Sequence, residues 1–304
     1  MTTLVTGAFG HLGGHVATIA ARHDSVILAS RRTRQSNLGE VRCADLRDHA
    51  TLAALVAGVD TIIHLASLND VDSNRDPARA HDVNVAGTGA LIDAAERAGV
   101  RRFVYASTVQ VYGDALHGTV TEASPVGESS PYARTHFQAE EVVRASTLEH
   151  VCLRLANGFG RPVDPAVNTW RLLVADLCKR AITDGSLELR THGRHERDFV
   201  PVSDLAAALV HFARLDRLAQ PVVIIGSGTP TTLLYMAERI AGRAASFTTR
   251  SVRVSINDTD TSAAQRYLLD VSRMRASGFE PALDIDVAID DLLALAADTF
   301  GVRS

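Results

Sequence analysis

The residues Thr6-Gly7-Ala8-Phe9-Gly10-His11-Leu12-Gly13 sit between a β-rich run and a helical pattern. Glycines there let the backbone turn tightly and approach a pyrophosphate, and the following helix N-terminus offers free N–H groups and a positive dipole end. The chemistry this points to is dinucleotide binding, since the loop opens the first strand-turn-helix unit, the context such a motif requires. The end of the next strand bears on the ribose. A carboxylate there would hold a 2′-hydroxyl, but Ile27-Leu28-Ala29-Ser30-Arg31-Arg32 contains none. Arg31 or Arg32 could instead fork onto a 2′-phosphate, which favours NADP over NAD. The plainer reading is two solvated arginines in an arginine-rich chain whose only lysine is Lys179.

The elements that must position these residues alternate. Strands are expected at Thr3–Thr6, Val26–Ser30, Glu40–Ala44, Thr61–Leu65, Phe103–Ser107 and Val151–Leu155. Helical patterns lie between them, at Leu12–Arg22, Ala50–Ala57, Ala80–Ala98 and Tyr132–Ala145. Repeated βαβ units predict an α/β fold of the Rossmann type, a doubly wound parallel sheet with helices on both faces. After Gly160 the pattern changes: a helix near Val167–Ile182, a strand Leu187–Arg190, a helix Ser203–Leu215 capped by Ser203, and a buried strand Pro221–Ile225. A helix near Leu233–Ala241, a strand Thr248–Val254 and an amphipathic helix near Ile285–Thr299 complete the tail. This divides the chain into a dinucleotide-binding body, residues 1–165 with 194–225 returning to it, and a smaller discontinuous α/β substrate lobe, residues 166–193 and 226–304.

Bulk properties narrow the function. With 304 residues, 46% of them hydrophobic, the chain can bury a large core. The net charge of −4 is well mixed, with no basic stripe for nucleic acid and no polybasic patch for a membrane surface. Apolar runs are too short to span a bilayer, and no signal peptide precedes Thr3, so a cytoplasmic location is expected. Cys43, Cys152 and Cys178 are odd in number and scattered, which suits reduced thiols.

Further motifs then appear in order. Asp45-Leu46 follows the third strand. His64-Leu65-Ala66-Ser67 is similar to "HLAA", Asn84-Val85-Ala86-Gly87-Thr88 to "NvxGT", and Ser107-Thr108-Val109-Gln110-Val111-Tyr112-Gly113 to "SSxxVYG". Pro131-Tyr132-Ala133-Arg134-Thr135-His136 stands where "PYxxSK" is expected. Arg154–Gly160 resembles "RxxNvyG", Gly193–Asp204 resembles "GxxxRDFvxVxD", and Gly226-Ser227-Gly228 matches "GsG". Across nearly its whole length the chain resembles the NAD-dependent epimerase/dehydratase branch of the extended short-chain dehydrogenases.

The resemblance implies an NAD(P)-dependent epimerase or ketoreductase acting at C4 of a nucleotide-linked sugar. Tyr132, assisted by Thr108, would exchange a proton with the substrate oxygen. Gly7, Phe9, Gly10, His11, Leu12, Gly13, Arg31, Arg32, Asp45, Leu46, Leu65, Ala66, Ser67, Asn84, Ser107, Tyr132 and His136 would contact the dinucleotide. Asn157 and Arg197 would meet the nucleotide diphosphate, unless Arg197 only pairs with Asp198 or Asp204 to brace the lobes. Asn69 would touch the sugar or cap the next helix. The departure is His136, in place of a lysine that supplies a fixed positive charge and holds the nicotinamide ribose. Four residues from Tyr132 on a helix, it shares a face with it, but an unperturbed histidine titrates near about pH 6.5. If His136 supplies that charge, activity should peak from mildly acidic to neutral pH. The substitution keeps two alternatives open: a catalytically weak NAD(P)-binding regulatory protein, and a reductase of a non-nucleotide ketone. Val109-Gln110 stands where the dehydratases carry an Asp-Glu pair and the uronate decarboxylases a Glu, so neither reaction is expected. His192 and His195 lie near Arg197 without the spacing of a metal site, and no metal is expected. The helices Ala80–Ala98 and Tyr132–Ala145 match those through which the family forms homodimers.

Overall fold

The computed structural model describes residues 1–127 and 129–301, and the side chains of all of these except Asp114 and Ala115. Seven strands form one sheet: β1 (Thr2–Thr6), β2 (Ser25–Ser30), β3 (Glu40–Cys43), β4 (Thr61–His64), β5 (Arg102–Thr108), β6 (Glu149–Leu155) and β7 (Val222–Ile225). Their order is β7-β6-β5-β4-β1-β2-β3, parallel throughout, with Thr6 opposite His64 and His64 opposite Tyr105. The order reverses direction beside β1, so a crevice opens at the C-terminal strand ends there, the switch point where such sheets bind ligands.

Both faces are covered, which is why the central strands read as apolar runs rather than alternating ones. Neighbouring residues on a strand still part company. Val5, Val104 and Leu153 face a core shared with helices α1 (His11–Ala20) and α6 (Val202–Arg214). Leu4, Phe103 and Cys152 face the opposite core, against α2 (His49–Val56), α3 (Gly87–Ala98) and α4 (Pro131–Ala145). A third core joins α5 (Leu173–Thr183), α7 (Leu233–Ala244) and α8 (Ile285–Phe300) around Phe159 and Phe199. The buried Arg102 at the start of β5 bonds Glu149 at 2.7 Å and the Ala213 carbonyl at 2.9 Å, placing a cation at the C-terminus of α6. No described helix is long and apolar enough to cross a membrane.

Several expectations are corrected. The helix expected over Ala80–Ala98 is broken into Pro77–His81, a wide π-helical turn Asp82–Ala86, and α3. The helix near Val167 starts only at Leu173, because Asp164 and Asn168 side chains accept the Ala166 and Trp170 N–H groups and hold tight turns instead. Ser203 is not a cap: Pro201 ends a short strand Phe199–Pro201, paired with Asn157–Phe159, and α6 begins at once with Val202. Of Thr248–Val254 only Arg253 and Val254 belong to a strand, Arg253–Ser255, since the N–H groups of Phe247 and Thr248 bond back to Ala244. Tyr267–Leu269 pairs with Gly118–Val120, and Tyr267, Leu269, Val271 and Met274 pack into the core that holds β1, rather than into the α5–α7–α8 core.

Candidate active site

Gly7, at φ +67°, turns the chain out of β1, and a Cβ on Gly13 would lie 2.0 Å from the Gly7 carbonyl oxygen. Only glycine at both positions lets α1 start this close to the loop. Gly10 caps α1 without a side chain, so no cap side chain takes the first-turn N–H groups. Above them lies an open cavity of about 490 Å³. Gly7, Phe9 and Gly10 form its floor; Arg31, Arg32, Asp45, Leu46, Leu65, Ala66 and Ser67 form its walls. Arg34 and Arg47 join the same wall, and the Arg34 guanidinium lies 4.9 Å over the Phe9 ring. Asp45 bonds Arg47 at 2.9 Å, which holds its carboxyl down at about 2.

The other residues expected to contact the dinucleotide are not among those lining this cavity. His11 Nε2 bonds the Gly160 carbonyl at 2.8 Å, and burial lowers its pKa to about 4. Leu12 packs on the core and Gly13 on Gly7. Asn84 is a brace: its Oδ1 accepts the Leu68 N–H at 2.7 Å and its Nδ2 donates to Thr135 at 3.0 Å. Ser107 donates to the buried Glu140, which also pairs with Arg154 at 2.6 Å.

Thr108, Tyr132 and His136 meet at the C-terminal end of β5. Ser130 accepts the Ala133 N–H at 3.1 Å and Pro131 takes the first turn, so α4 begins with Tyr132 at its mouth. The Thr108 side chain lies close to the Tyr132 phenol and favours its ionised form. Burial, with the Asp70 carboxylate adding to it, nevertheless pushes Tyr132 up to about 12. The His136 ring lies 4.4 Å from the Tyr132 ring. It is 3% exposed, and burial lowers it to about 4, so at neutral pH it carries no charge. This corrects the expectation of a cation that fades on the alkaline side. Its Nδ1 meets the Tyr105 phenol at 3.0 Å, while its Nε2 is buried with no partner among the described residues.

Asn157 and Arg197 are each tied to the segment Gln265–Tyr267. Asn157 Nδ2 donates to the Asp198 carbonyl at 3.1 Å and the Tyr267 hydroxyl at 3.3 Å; Arg197 Nη1 donates to the Gln265 Oε1 at 2.5 Å. Neither suspected acid takes Arg197: Asp198 accepts the Ser227 and Gly228 N–H groups, and Asp204 accepts that of Leu283. Asn69 caps Asp70–Arg75, accepting the Asp72 N–H at 2.9 Å. Asp260 does approach His192 and His195. However, His192 Nε2 bonds the Ser262 carbonyl at 2.8 Å and its Nδ1 accepts the Arg194 N–H at 3.0 Å, so neither ring nitrogen is left for a metal.

The profile described as the NAD dependent epimerase/dehydratase family matches residues 3–226. The chain belongs to this family. Among its relatives, a dTDP-glucose 4,6-dehydratase of Streptomyces niveus is 30% identical over 79% of this chain and 76% of its own. A UDP-glucose 4-epimerase of Rhizobium meliloti is 29% identical over 79% of this chain and 82% of its own. The solved structure of MoeE5 in complex with UDP-glucose and NAD superposes with a TM-score of 0.81 at 25% identity, covering 98% of this chain and 99% of that one.

The features of this epimerase/dehydratase family member fit a dinucleotide: a glycine floor at a helix N-terminus, a cationic wall, and one orphaned buried nitrogen beside the tyrosine. Sequence reasoning missed Arg34, Arg47, Asp70, Gln265, Tyr267 and Tyr105. A signal existed for two of them. Arg34 completes the run Arg31-Arg32-Thr33-Arg34, and Tyr105 is a phenol inside a strand buried on both faces, where its hydroxyl requires a partner.

Proposed function

We propose that this chain is an NAD(P)-dependent epimerase or ketoreductase acting at C4 of a nucleotide-linked sugar. The observation that carries this reading is the placing of Thr108 next to Tyr132 at the sheet's C-terminal edge, beside the glycine-floored cavity. When bound, NAD(P) supplies the carbon that gives or accepts a hydride. Tyr132 Oη delivers or removes the proton on the substrate oxygen, and Thr108 orients that oxygen. Arg197, held by Gln265 and without an acid partner among the described residues, supports binding of a diphosphate. Val109 is buried and Gln110 exposed, and neither can act as acid or base, so this chain should not follow its dehydratase relative. The side-by-side packing of α3 and α4 supports a homodimer through those helices.

Incubation with UDP-hexoses and NAD(P)⁺ should give the 4-epimer, or incubation with a UDP-4-keto-hexose and NAD(P)H should give the 4-alcohol with NAD(P)⁺, the products being resolved by chromatography and mass. Tyr132→Phe should abolish turnover while the dinucleotide still binds. Release of a 4-keto-6-deoxy sugar, or turnover surviving in Tyr132→Phe, overturns the reading. For the cofactor, the Arg31–Arg32–Arg34–Arg47 wall supports NADP over NAD. A charge-assisted contact of about 1.5–3 kcal/mol corresponds to roughly 10- to 100-fold tighter NADPH binding, which Arg31→Ala should largely erase. Equal affinities in titration calorimetry would contradict this. A second reading, a dinucleotide-binding protein of weak turnover, is favoured by one observation: no cation among the described residues offsets the raised pKa of Tyr132.

A further inference from the structure

His136 has two ring nitrogens, and the structure treats them differently. Nδ1 lies 3.0 Å from the Tyr105 hydroxyl, the one hydrogen-bond partner of either group among the described residues. Nε2 is buried and unpartnered. A neutral imidazole carries one proton, so two arrangements exist. If Nδ1–H donated to Tyr105, the phenol proton would have no acceptor in a buried site, and Nε2 would be a bare lone pair. If Tyr105 donates to Nδ1, the phenol is satisfied and only the Nε2–H remains. The first arrangement leaves two buried polar groups unmade, the phenol proton and the Nε2 lone pair, and the second leaves only one, so the second arrangement is favoured.

The surroundings keep the ring neutral. Tyr105 faces it from β5 and Tyr132 from one turn earlier on α4. His64 on β4 stacks on the far side of Tyr105, with ring centroids 5.8 Å apart. Its Nδ1 is 2.7 Å from the Thr6 hydroxyl and its Nε2 3.0 Å from Thr88, so both its nitrogens are engaged. Asn84, from the turn Asp82–Ala86 packed on α4, bonds Thr135 rather than His136. Asp70 acts on Tyr132. Glu140, one turn beyond His136, is engaged by Ser107 and Arg154, and Cys152 on β6 adds only a buried thiol near Tyr105. None of these supplies a carboxylate hydrogen bond that would hold a proton on Nδ1.

We propose that Tyr105 is a positioning residue that locks His136 in its Nε2–H tautomer, and that this N–H is a neutral donor to the ribose hydroxyl next to the nicotinamide. The proposal rests on the dinucleotide-binding reading above. It assigns the histidine half of the duty of the lysine it stands in for: it grips the ribose without lending charge to Tyr132.

The test begins with the protein free of dinucleotide, labelled with ¹⁵N-histidine. Heteronuclear correlation spectra from pH 5.5 to 8 should show His136 protonated at Nε2, bare at Nδ1, and constant across the range. Adding NADP should shift the Nε2–H resonance. In Tyr105→Phe the lock is lost, so the spectrum should show mixed tautomers and dinucleotide affinity should fall about 3- to 10-fold. His136→Gln, which retains an amide donor, should bind within about threefold of the wild type, whereas His136→Leu should lose about tenfold. An Nδ1–H tautomer, or a ring titrating near neutrality, overturns the proposal even if NADP binds. So does Tyr105→Phe with unchanged tautomer and affinity. A wild type that shows the Nε2–H tautomer but binds neither NAD nor NADP overturns the ligand role together with the dinucleotide reading itself.

Discussion

The histidine four residues after Tyr132 changes what the tyrosine must do unaided. A lysine there would favour the phenolate; a neutral ring does not, and the nearby Asp70 carboxylate disfavours it further. Removing that negative charge stabilises tyrosinate and lowers its pKa. Alcohol oxidation consumes the tyrosinate form, so Asp70→Asn should raise the oxidation rate at pH 8–9 severalfold and displace the alkaline rise of the pH–rate profile downward. His136→Lys should displace it further in the same direction. A profile unmoved by Asp70→Asn would show that the carboxylate does not act on Tyr132 during turnover. At this scale the sequence is informative where spacing is local. Tyr132 and His136 share a helix face, and Gly7 through Gly13 form one turn-to-helix junction. It is silent on the Tyr105–His136 bond, which spans 31 positions and exists only because β5 and α4 pack together.

The elements hold that geometry with a second buried pair. Glu140 on α4 bonds Arg154 on β6 at 2.6 Å and also accepts from Ser107 on β5, tying the helix that carries Tyr132 to two strands. Arg154 also lies 4.8 Å over the Tyr112 ring. Both ionic partners are almost wholly buried, at 0% and 3% exposure, so removing one leaves the other uncompensated. Arg154→Met should therefore destabilise the protein by about 3–5 kcal/mol, read from the urea midpoint and slope. A loss below about 1 kcal/mol would mean that Glu140 is protonated or hydrated instead. The strand-helix alternation is legible because buried parallel strands and Gly- or Pro-bounded helices have strong local signals. The late helix start at Leu173 and the π-helical turn at Asp82–Ala86 are less so, because side-chain turns and packing against α4 decide them.

For the molecule as a whole, the buried histidines set the response to acid. Burial lowers His64 to about 3 and His136 to about 4, against 6.5 when unfolded. Both are depressed, so the unfolded chain binds protons that the folded chain refuses. Stability is full above about pH 6.5 and is lost as pH falls from there towards these lower values. Each histidine then costs the fold about 1.4 kcal/mol per pH unit within that window. The melting temperature should drop steeply between pH 7 and pH 5, and His136→Gln should flatten the slope; parallel slopes for both proteins would refute the assignment. The arginine wall has a different kind of consequence. Arg31, Arg32, Arg34 and Arg47 gather at one mouth of a chain whose net charge is −4. An anionic ligand therefore meets overall repulsion at a distance and local attraction at the entrance, and mobile ions screen the first before the second, over a length of about 8 Å at physiological ionic strength. Capture at this site is governed by the last few ångströms of approach, so the orientation in which a ligand arrives, more than the frequency of its encounters, decides whether it is retained.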